Sequence, residues 1–238
     1  MYKEKVLVTS SDVDNHLNLK VSSIFRLMQM VSTNHSEQLN VGQKDTIDKG
    51  ICWVITRMKV EIYQYPKMNE EIVVTTHPGK INRFLFPRYY QIYDKKGHLL
   101  IAGCALWVLV DLNTRRLIAK PFEGKKFPEE TNKDDIELPG KVVDEELDKI
   151  EDRKIRYNDI DLNGHLNNTK YIEYIIDIKS KEFYDHRQVK SILMNYEKEL
   201  KEGEVVSLYS KGENDFKVYG KKEGNICFAS YIETAERK

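Results

Sequence analysis

Asp159-Ile-Asp-Leu-Asn-Gly-His-Leu-Asn167, leading into an apolar stretch from Tyr171 to about Phe183, decides the fold, because an earlier passage does the same thing: Asp12-Val-Asp-Asn-His-Leu-Asn18 leads into an apolar stretch from Val21 to about Leu39. The two polar passages match if two residues are missing from the first. Such self-similarity marks a repeated structural unit. Ile24, Leu27, Met28, Val31 and His35 recur at helical spacing, and Tyr171, Ile172, Ile175, Ile176 and Ile178 nearly surround their segment, so each stretch predicts a helix with a wide buried face. Asn18 and Asn167 are the expected N-caps.

Outward from each helix come runs rich in β-branched and aromatic residues, which predict strands. In the first half they are 52–63, 71–77, 83–93 and 98–112, and in the second 189–200, 204–211, 216–221 and 226–233. Asp94-Lys-Lys-Gly97 and Lys221-Lys-Glu-Gly224 are charged, glycine-ended links of the kind hairpins use. One helix followed by an antiparallel sheet, twice, is an α+β pattern and not a βαβ alternation. Residues 121–150 hold Pro121, Pro128 and Pro139 among long acidic and basic stretches with neither regular period, which predicts a linker. The expected organisation is 1–120, a linker over 121–150, and 151–238.

Composition removes several classes. The 38 Lys+Arg balance 38 Asp+Glu, so the basic excess of a nucleic-acid-binding domain is missing. A 40% apolar content still fills a core. The longest apolar run, Leu99 to Val110, falls short of a bilayer-spanning helix of about 20 residues. Charges in the opening Met-Tyr-Lys-Glu-Lys-Val-Leu-Val occupy the place of a signal peptide's apolar core, so a cytoplasmic location is expected. Cys52, Cys104 and Cys227 are widely spaced, with no CxxC pair, and read as small buried hydrophobes.

GxSxG, GxGxxG, GxxxxGK[ST] and HExxH are all missing from the sequence, so the usual hydrolase, dinucleotide, P-loop and zincin signatures are absent. What remains is the polar cluster before the second helix. Asp161, Asn163 and His165 are spaced i, i+2, i+4, and in an extended segment all three share one face. They would stand beside a helix N-terminus whose free N–H groups can hold a developing negative charge, which suits acyl transfer. Turn-forming Asp and Asn with a capping His is the competing reading. In the first half Asp14, Asn15 and His16 are consecutive and cannot share a strand face, so they read as a relic. Glu199 belongs to the strand pattern of the second half; the matching place in the first half, near Tyr63-Gln-Tyr-Pro66, holds no acid.

Asn163-Gly-His-Leu-Asn-Asn-Thr-Lys-Tyr-Ile172 resembles the Asn-x-His-Val-Asn-Asn-x-Lys-Tyr-Ile motif of acyl-acyl carrier protein thioesterases, the plant chain-terminating enzymes and their bacterial relatives. Trp53-Val-Ile-Thr-Arg-Met58, Tyr65-Pro66, Asn113-Thr-Arg-Arg-Leu117 and Lys120-Pro121 are similar to further stretches of that family, in the same order. The resemblance implies two tandem hotdog domains, each a long central helix wrapped by an antiparallel sheet, and hydrolysis of the thioester between a fatty acyl chain and the phosphopantetheine arm of acyl carrier protein. It implies a catalytic second hotdog carrying Asp161, Asn163, His165 and Glu199, and a first hotdog that helps hold the acyl chain, with Ile24, Met28, Met30 and Trp53 as candidate lining. Where the plant pattern has Cys directly after that Glu, this sequence has Leu200, so a cysteine nucleophile is ruled out there. Either Glu199 or Asp161 then acts as base on water or attacks directly, while Asn163 and His165 orient the acid and the thioester. An acid desolvated against an acyl tunnel would titrate nearer neutrality.

No metal or organic cofactor is expected, since thioester hydrolysis needs only water. The expected partner is the acidic acyl carrier protein, docking on basic residues such as Arg115, Arg116 and Lys120, or Lys179, Lys181, Arg187 and Lys190. Nucleic acid and a membrane span are not expected, and a homodimer stays open. The competing functions are an acyl-CoA thioesterase, a non-catalytic acyl-binding lipid sensor and a hydratase of the same fold.

Overall fold

The structure, a computed structural model, describes residues 1–118 and 127–237, and the chain divides into two units, Met1–Pro139 and Gly140–Lys238. The first unit runs β1 (Tyr2–Leu7), α1 (Val21–Gln38), α2 (Gln43–Ile47), β2 (Ile51–Ile62), β3 (Glu71–Pro78), β4 (Phe86–Asp94) and β5 (Leu99–Asp111). The second runs β6 (Asp148–Lys154), α3 (Asn168–Ile176), α4 (Lys181–His186), β7 (Arg187–Tyr196), β8 (Val205–Lys211), β9 (Phe216–Lys222) and β10 (Asn225–Glu236).

The strand orders are β1-β3-β4-β5-β2 in the first unit and β6-β8-β9-β10-β7 in the second, with antiparallel pairing at every step. Strand for strand these are one topology written twice. Each unit thus spends one strand, then two helices, then four strands that complete an antiparallel sheet. In the first unit α1 lays Ile24, Leu27, Met28, Val31 and His35 against that sheet, all buried as their spacing requires. Met28 presses its thioether so close to Gly103 on β5 that a Cβ there would stand 3.1 Å from both Cε and Sδ.

Two strands go unseen in the sequence pattern. β1 and β6 are the charged sheet edges, Tyr-Lys-Glu-Lys-Val-Leu and Asp-Lys-Ile-Glu-Asp-Arg-Lys, half buried at most, and charge on an edge strand guards against edge-to-edge pairing at the cost of the apolar alternation that announces a strand. β6 begins inside the stretch read as a linker. Residues 121–126 of that stretch, and Ala119 and Lys120 before it, lie outside the described residues. Its middle is bound to the first unit: the Glu130 amide donates to Pro78 O at 3.0 Å, and the Asp135 carboxylate takes Gln91 Nε2 at 2.9 Å and meets His77 Nε2 at 3.1 Å.

The second helix is shorter than its apolar run. α3 stops at Ile176, and Ser180 opens α4 by accepting the Phe183 N–H at 3.3 Å. Ile175, Ile176 and Asp177 are weak helix formers in sequence, and a serine cap three residues later outcompetes continuation.

Candidate active site

Asp161 does not sit in an extended segment. Its carbonyl accepts the Gly164 N–H at 3.0 Å, its N–H donates to His165 O at 2.8 Å, and its carboxylate oxygen takes the N–H of Asn163 at 2.8 Å and of His165 at 3.3 Å. Gly164 completes the turn at φ +77°, a conformation in which a Cβ is strained. The shared strand face expected for Asp161, Asn163 and His165 is therefore replaced by a tight turn that the aspartate organises, because two backbone donors bonded to its carboxylate and a third to its carbonyl favour the turn over extension.

The turn is pinned to the β7–β8 connection. Leu166 N–H donates to Leu200 O at 2.7 Å, and His165 forms an antiparallel bridge with Lys201. β7 ends at Tyr196, so Glu199 stands in this connection and not in the strand. The pinning brings His165 Nε2 to 3.1 Å from a Glu199 carboxylate oxygen, the imidazole 22% and the carboxylate 40% exposed. A carboxylate that open to water is not desolvated, contrary to the expectation of a buried acid. Asn163 is exposed on the turn.

Asn167 caps α3 as its sequence position predicts, accepting Thr169 N–H at 3.0 Å and Thr169 Oγ1 at 2.9 Å, and its carbonyl takes Lys170 N–H at 2.8 Å. Two first-turn donors expected to face an oxyanion are thereby occupied. Asn18 does not cap α1; Lys20 holds the cap position with no side-chain bond.

Tyr171 is a neighbour of the site that motif reading passed over. It is 4% exposed, set edge-on to Tyr196 and Phe228 at centroid distances of 5.4 and 5.1 Å. Burial pushes its phenol well above the usual range, Cys227 beside it adds to the rise, a hydrogen bond with the Leu200 backbone offsets part of it, and Glu199 and Asp161 push further. Its place at the first helical turn, facing inward, was the available signal. Cys227 is the extra residue of a bulge in β10, buried, and burial raises its thiol, which makes it a poor nucleophile.

Of the expected lining, Ile24 and Met28 are fully buried on one face of α1, and Met30 is half buried. Trp53 belongs elsewhere in the unit, packed with Phe86 and Phe127 and donating its indole N–H to Val41 O at 2.8 Å. Among the basic candidates, Lys179 is drawn onto Gly212 O at 2.8 Å and over the Phe183 and Phe216 rings, Lys181 pairs with Asp185 at 2.6 Å, and Arg187 donates to Thr234 at 2.7 Å. Arg115 and Arg116 are exposed, and Lys120 lies outside the described residues.

Family models for the acyl-ACP thioesterase N-terminal domain and C-terminal domain match residues 1–123 and 143–235. The chain belongs to the acyl-ACP thioesterase family. Among the relatives of this family member, the oleoyl-acyl carrier protein thioesterase 2 of Arabidopsis thaliana chloroplasts is 27% identical over 94% of the chain and 66% of its own length, and the dodecanoyl-[acyl-carrier-protein] hydrolase of Umbellularia californica is 24% identical over 87% and 58%. This family member thus spans about two thirds or less of these curated relatives. An acyl-ACP thioesterase from Bacteroides thetaiotaomicron shares the fold at TM-score 0.91 and 23% identity, covering 98% of this chain and 97% of that one, and the Umbellularia californica 12:0-ACP thioesterase does so at 0.86 and 20% over 99% and 97%. The hotdog-like architecture, a large antiparallel sheet with few helices, is that of these enzymes. Among the described residues no helix is long and apolar enough to cross a membrane, and no cluster of His, Cys, Asp and Glu could hold a metal ion.

Proposed function

We propose that this member of the family hydrolyses fatty acyl-acyl carrier protein to free fatty acid and carrier protein, with its two units acting as tandem hotdogs: the first holds the acyl chain along α1, and the second carries the chemistry. The observation that supports this most is the contact of His165 with Glu199, made by two segments that backbone hydrogen bonds pin together.

Glu199 is the base. His165 donates its Nε2–H to the carboxylate and holds it toward the thioester. Glu199 takes a proton from water as the water oxygen attacks the thioester carbon. The tetrahedral oxyanion then re-forms the C=O, the C–S bond breaks, and the proton held by Glu199 passes to the departing pantetheine thiolate. The Asn163 amide donates to the oxyanion. Asp161 positions: both hydrogen bonds its carboxylate accepts hold the turn that carries His165. The chemistry requires no metal or organic cofactor.

The test is thiol release from acyl carrier protein thioesters and from the matching acyl-CoA, by the wild type, Glu199→Gln and Cys227→Ala, each checked for folding by circular dichroism. Release that prefers the carrier protein, collapses in Glu199→Gln and survives in Cys227→Ala is the expected result. A folded wild type that turns over acyl-CoA alone, or neither thioester, refutes it.

A further inference from the structure

The first unit buries a cation that the chemistry above does not use. Arg88, on β4, is 6% exposed, and among the described residues no carboxylate lies within ion-pair distance of its guanidinium. Its partners are neutral: His35 Nδ1 at 3.1 Å, Ser36 Oγ at 3.1 Å and Thr76 Oγ1 at 3.4 Å. His35 is held unprotonated by its burial and by the guanidinium itself, which pull it down to about 4, so it accepts from Arg88 and adds no charge. Glu130, an acid whose charge reaches His35, is paired with the amino group of Met1. The end of α1 beside Ser36 supplies roughly half a negative charge. A buried guanidinium is ordinarily matched by a carboxylate in two-pronged geometry, and this one has the donors for that match without the acceptor.

Its position adds the second half of the argument. Ile24, Met28, Val31 and His35 lie along one face of α1, and at about 1.5 Å per residue the stripe from Ile24 to His35 is roughly 16 Å long. It is apolar until it reaches Ser32 and His35, where Arg88, Thr76 and Tyr90 meet it from the sheet, the Tyr90 phenol bonded to Ser32. A bare hydrocarbon end gains nothing from such a terminus.

We infer that Arg88, with Ser36 and Thr76, is the seat of a ligand carboxylate at the far end of the α1 stripe. The inference rests on the first unit holding the acyl chain. The carboxylate comes from one of two sources: the distal end of a dicarboxylic acyl chain whose other end is the thioester, or the head of a free fatty acid.

Two measurements separate them. The first compares kcat/KM for dodecanedioyl and dodecanoyl monothioesters of acyl carrier protein in the wild type, Arg88→Met and Arg88→Lys. The second titrates free dodecanedioate and dodecanoate into the same proteins by calorimetry. A preference for the dodecanedioyl thioester that falls about 30-fold in Arg88→Met supports a distal carboxylate, and dodecanoate affinity that falls by as much with no change in substrate preference supports the free acid. Arg88→Lys keeps the charge and loses the fork, so it gives an intermediate value. A folded Arg88→Met that changes neither quantity overturns the proposal, as does unchanged binding by Arg88→Lys if Arg88→Met does not fold. Should the wild type release no thiol from dodecanoyl carrier protein, the thioesterase reading fails while the titration still decides the carboxylate seat.

Discussion

Asp14 and Asp161 build the same turn in the two units. Asp14 N–H donates to Asn18 O at 2.8 Å and its carbonyl accepts Leu17 N–H at 3.1 Å, while its carboxylate takes the N–H of His16 at 2.8 Å and of Asn18 at 3.0 Å. Those are the bonds Asp161 makes with the residues two, three and four places on. Even the strained third position recurs, with Leu17 at φ +61° where Gly164 stands. Leu19 N–H then donates to Pro66 O at 2.8 Å as Leu166 donates to Leu200. The repeat is therefore in register with no residues missing from the first half. His165 corresponds to Asn18, Asn163 to His16, and Glu199 to Tyr65. The first unit keeps the aspartate and lacks both the His and the Glu, so what the aspartate does in both units is hold the turn.

Asp161→Asn and Glu199→Gln follow as a discriminating pair. An asparagine oxygen still accepts the Asn163 and His165 N–H groups, so Asp161→Asn is expected to fold and to stay within about tenfold of wild-type thiol release. Glu199→Gln removes the proposed base and is expected to lose about 10² to 10⁴ in kcat. A large loss in Asp161→Asn alongside an active Glu199→Gln would transfer the base role to Asp161.

Gly164→Ala and Gly97→Ala separate strain from chemistry. Both glycines hold positive φ, +77° and +86°, with open space where a Cβ would go, so each substitution costs about 1–2 kcal/mol of backbone strain alone. Equal stability losses by urea unfolding are expected, with thiol release reduced only in Gly164→Ala, whose turn carries His165. Equal activity in the two variants would mean that the turn does not position the imidazole.

How much of this could be read from residues alone depends on where the signal lies. The helix face of α1, the inner strands and the Asn167 cap were legible because burial and capping leave periodic or local marks. The edge strands β1 and β6 were not, since an exposed edge is charged on both sides. The break after Ile176 was hidden by an apolar run that continues past it. At the site the residue types were legible and their geometry was not: the i, i+2, i+4 spacing suggested a strand, but a carboxylate bonding its own backbone two and four residues on makes a turn, and aligning the two halves on His and not on Asp put the repeat two residues out of register. Arg88 left no mark, because its meaning lies in a missing acid, and an absence in space has no sequence pattern.

Gly220→Ala is expected to be strongly destabilising. A Cβ on Gly220 would stand 1.9 Å from Phe228 Cε1, and Phe228 is itself fully buried against Tyr171, so the ring has no free side to move toward. Overpacking of this kind costs about 1–3 kcal/mol or more. Thermal unfolding should show the loss, and the Gly220→Ala, Phe228→Leu double variant should recover part of it because the shorter side chain vacates the clash. Additive losses in the double variant would contradict the contact.

Acid should weaken the first unit through His35. Burial, reinforced by Arg88, holds its folded value at about 4 against an ordinary 6.5. Between those two values the unfolded chain binds a proton that the folded one does not, so stability rises with pH across that window and the contribution is complete only above about 6.5. At about 1.36 kcal/mol per unit the full difference is about 3 kcal/mol, lost progressively as pH falls toward 4. His35→Gln keeps an acceptor for Arg88 and cannot take up the proton. Urea unfolding of the wild type at a series of pH values from about 4 to 7 should therefore show a slope that His35→Gln flattens. Parallel slopes in the two proteins would show that other groups carry the acid sensitivity.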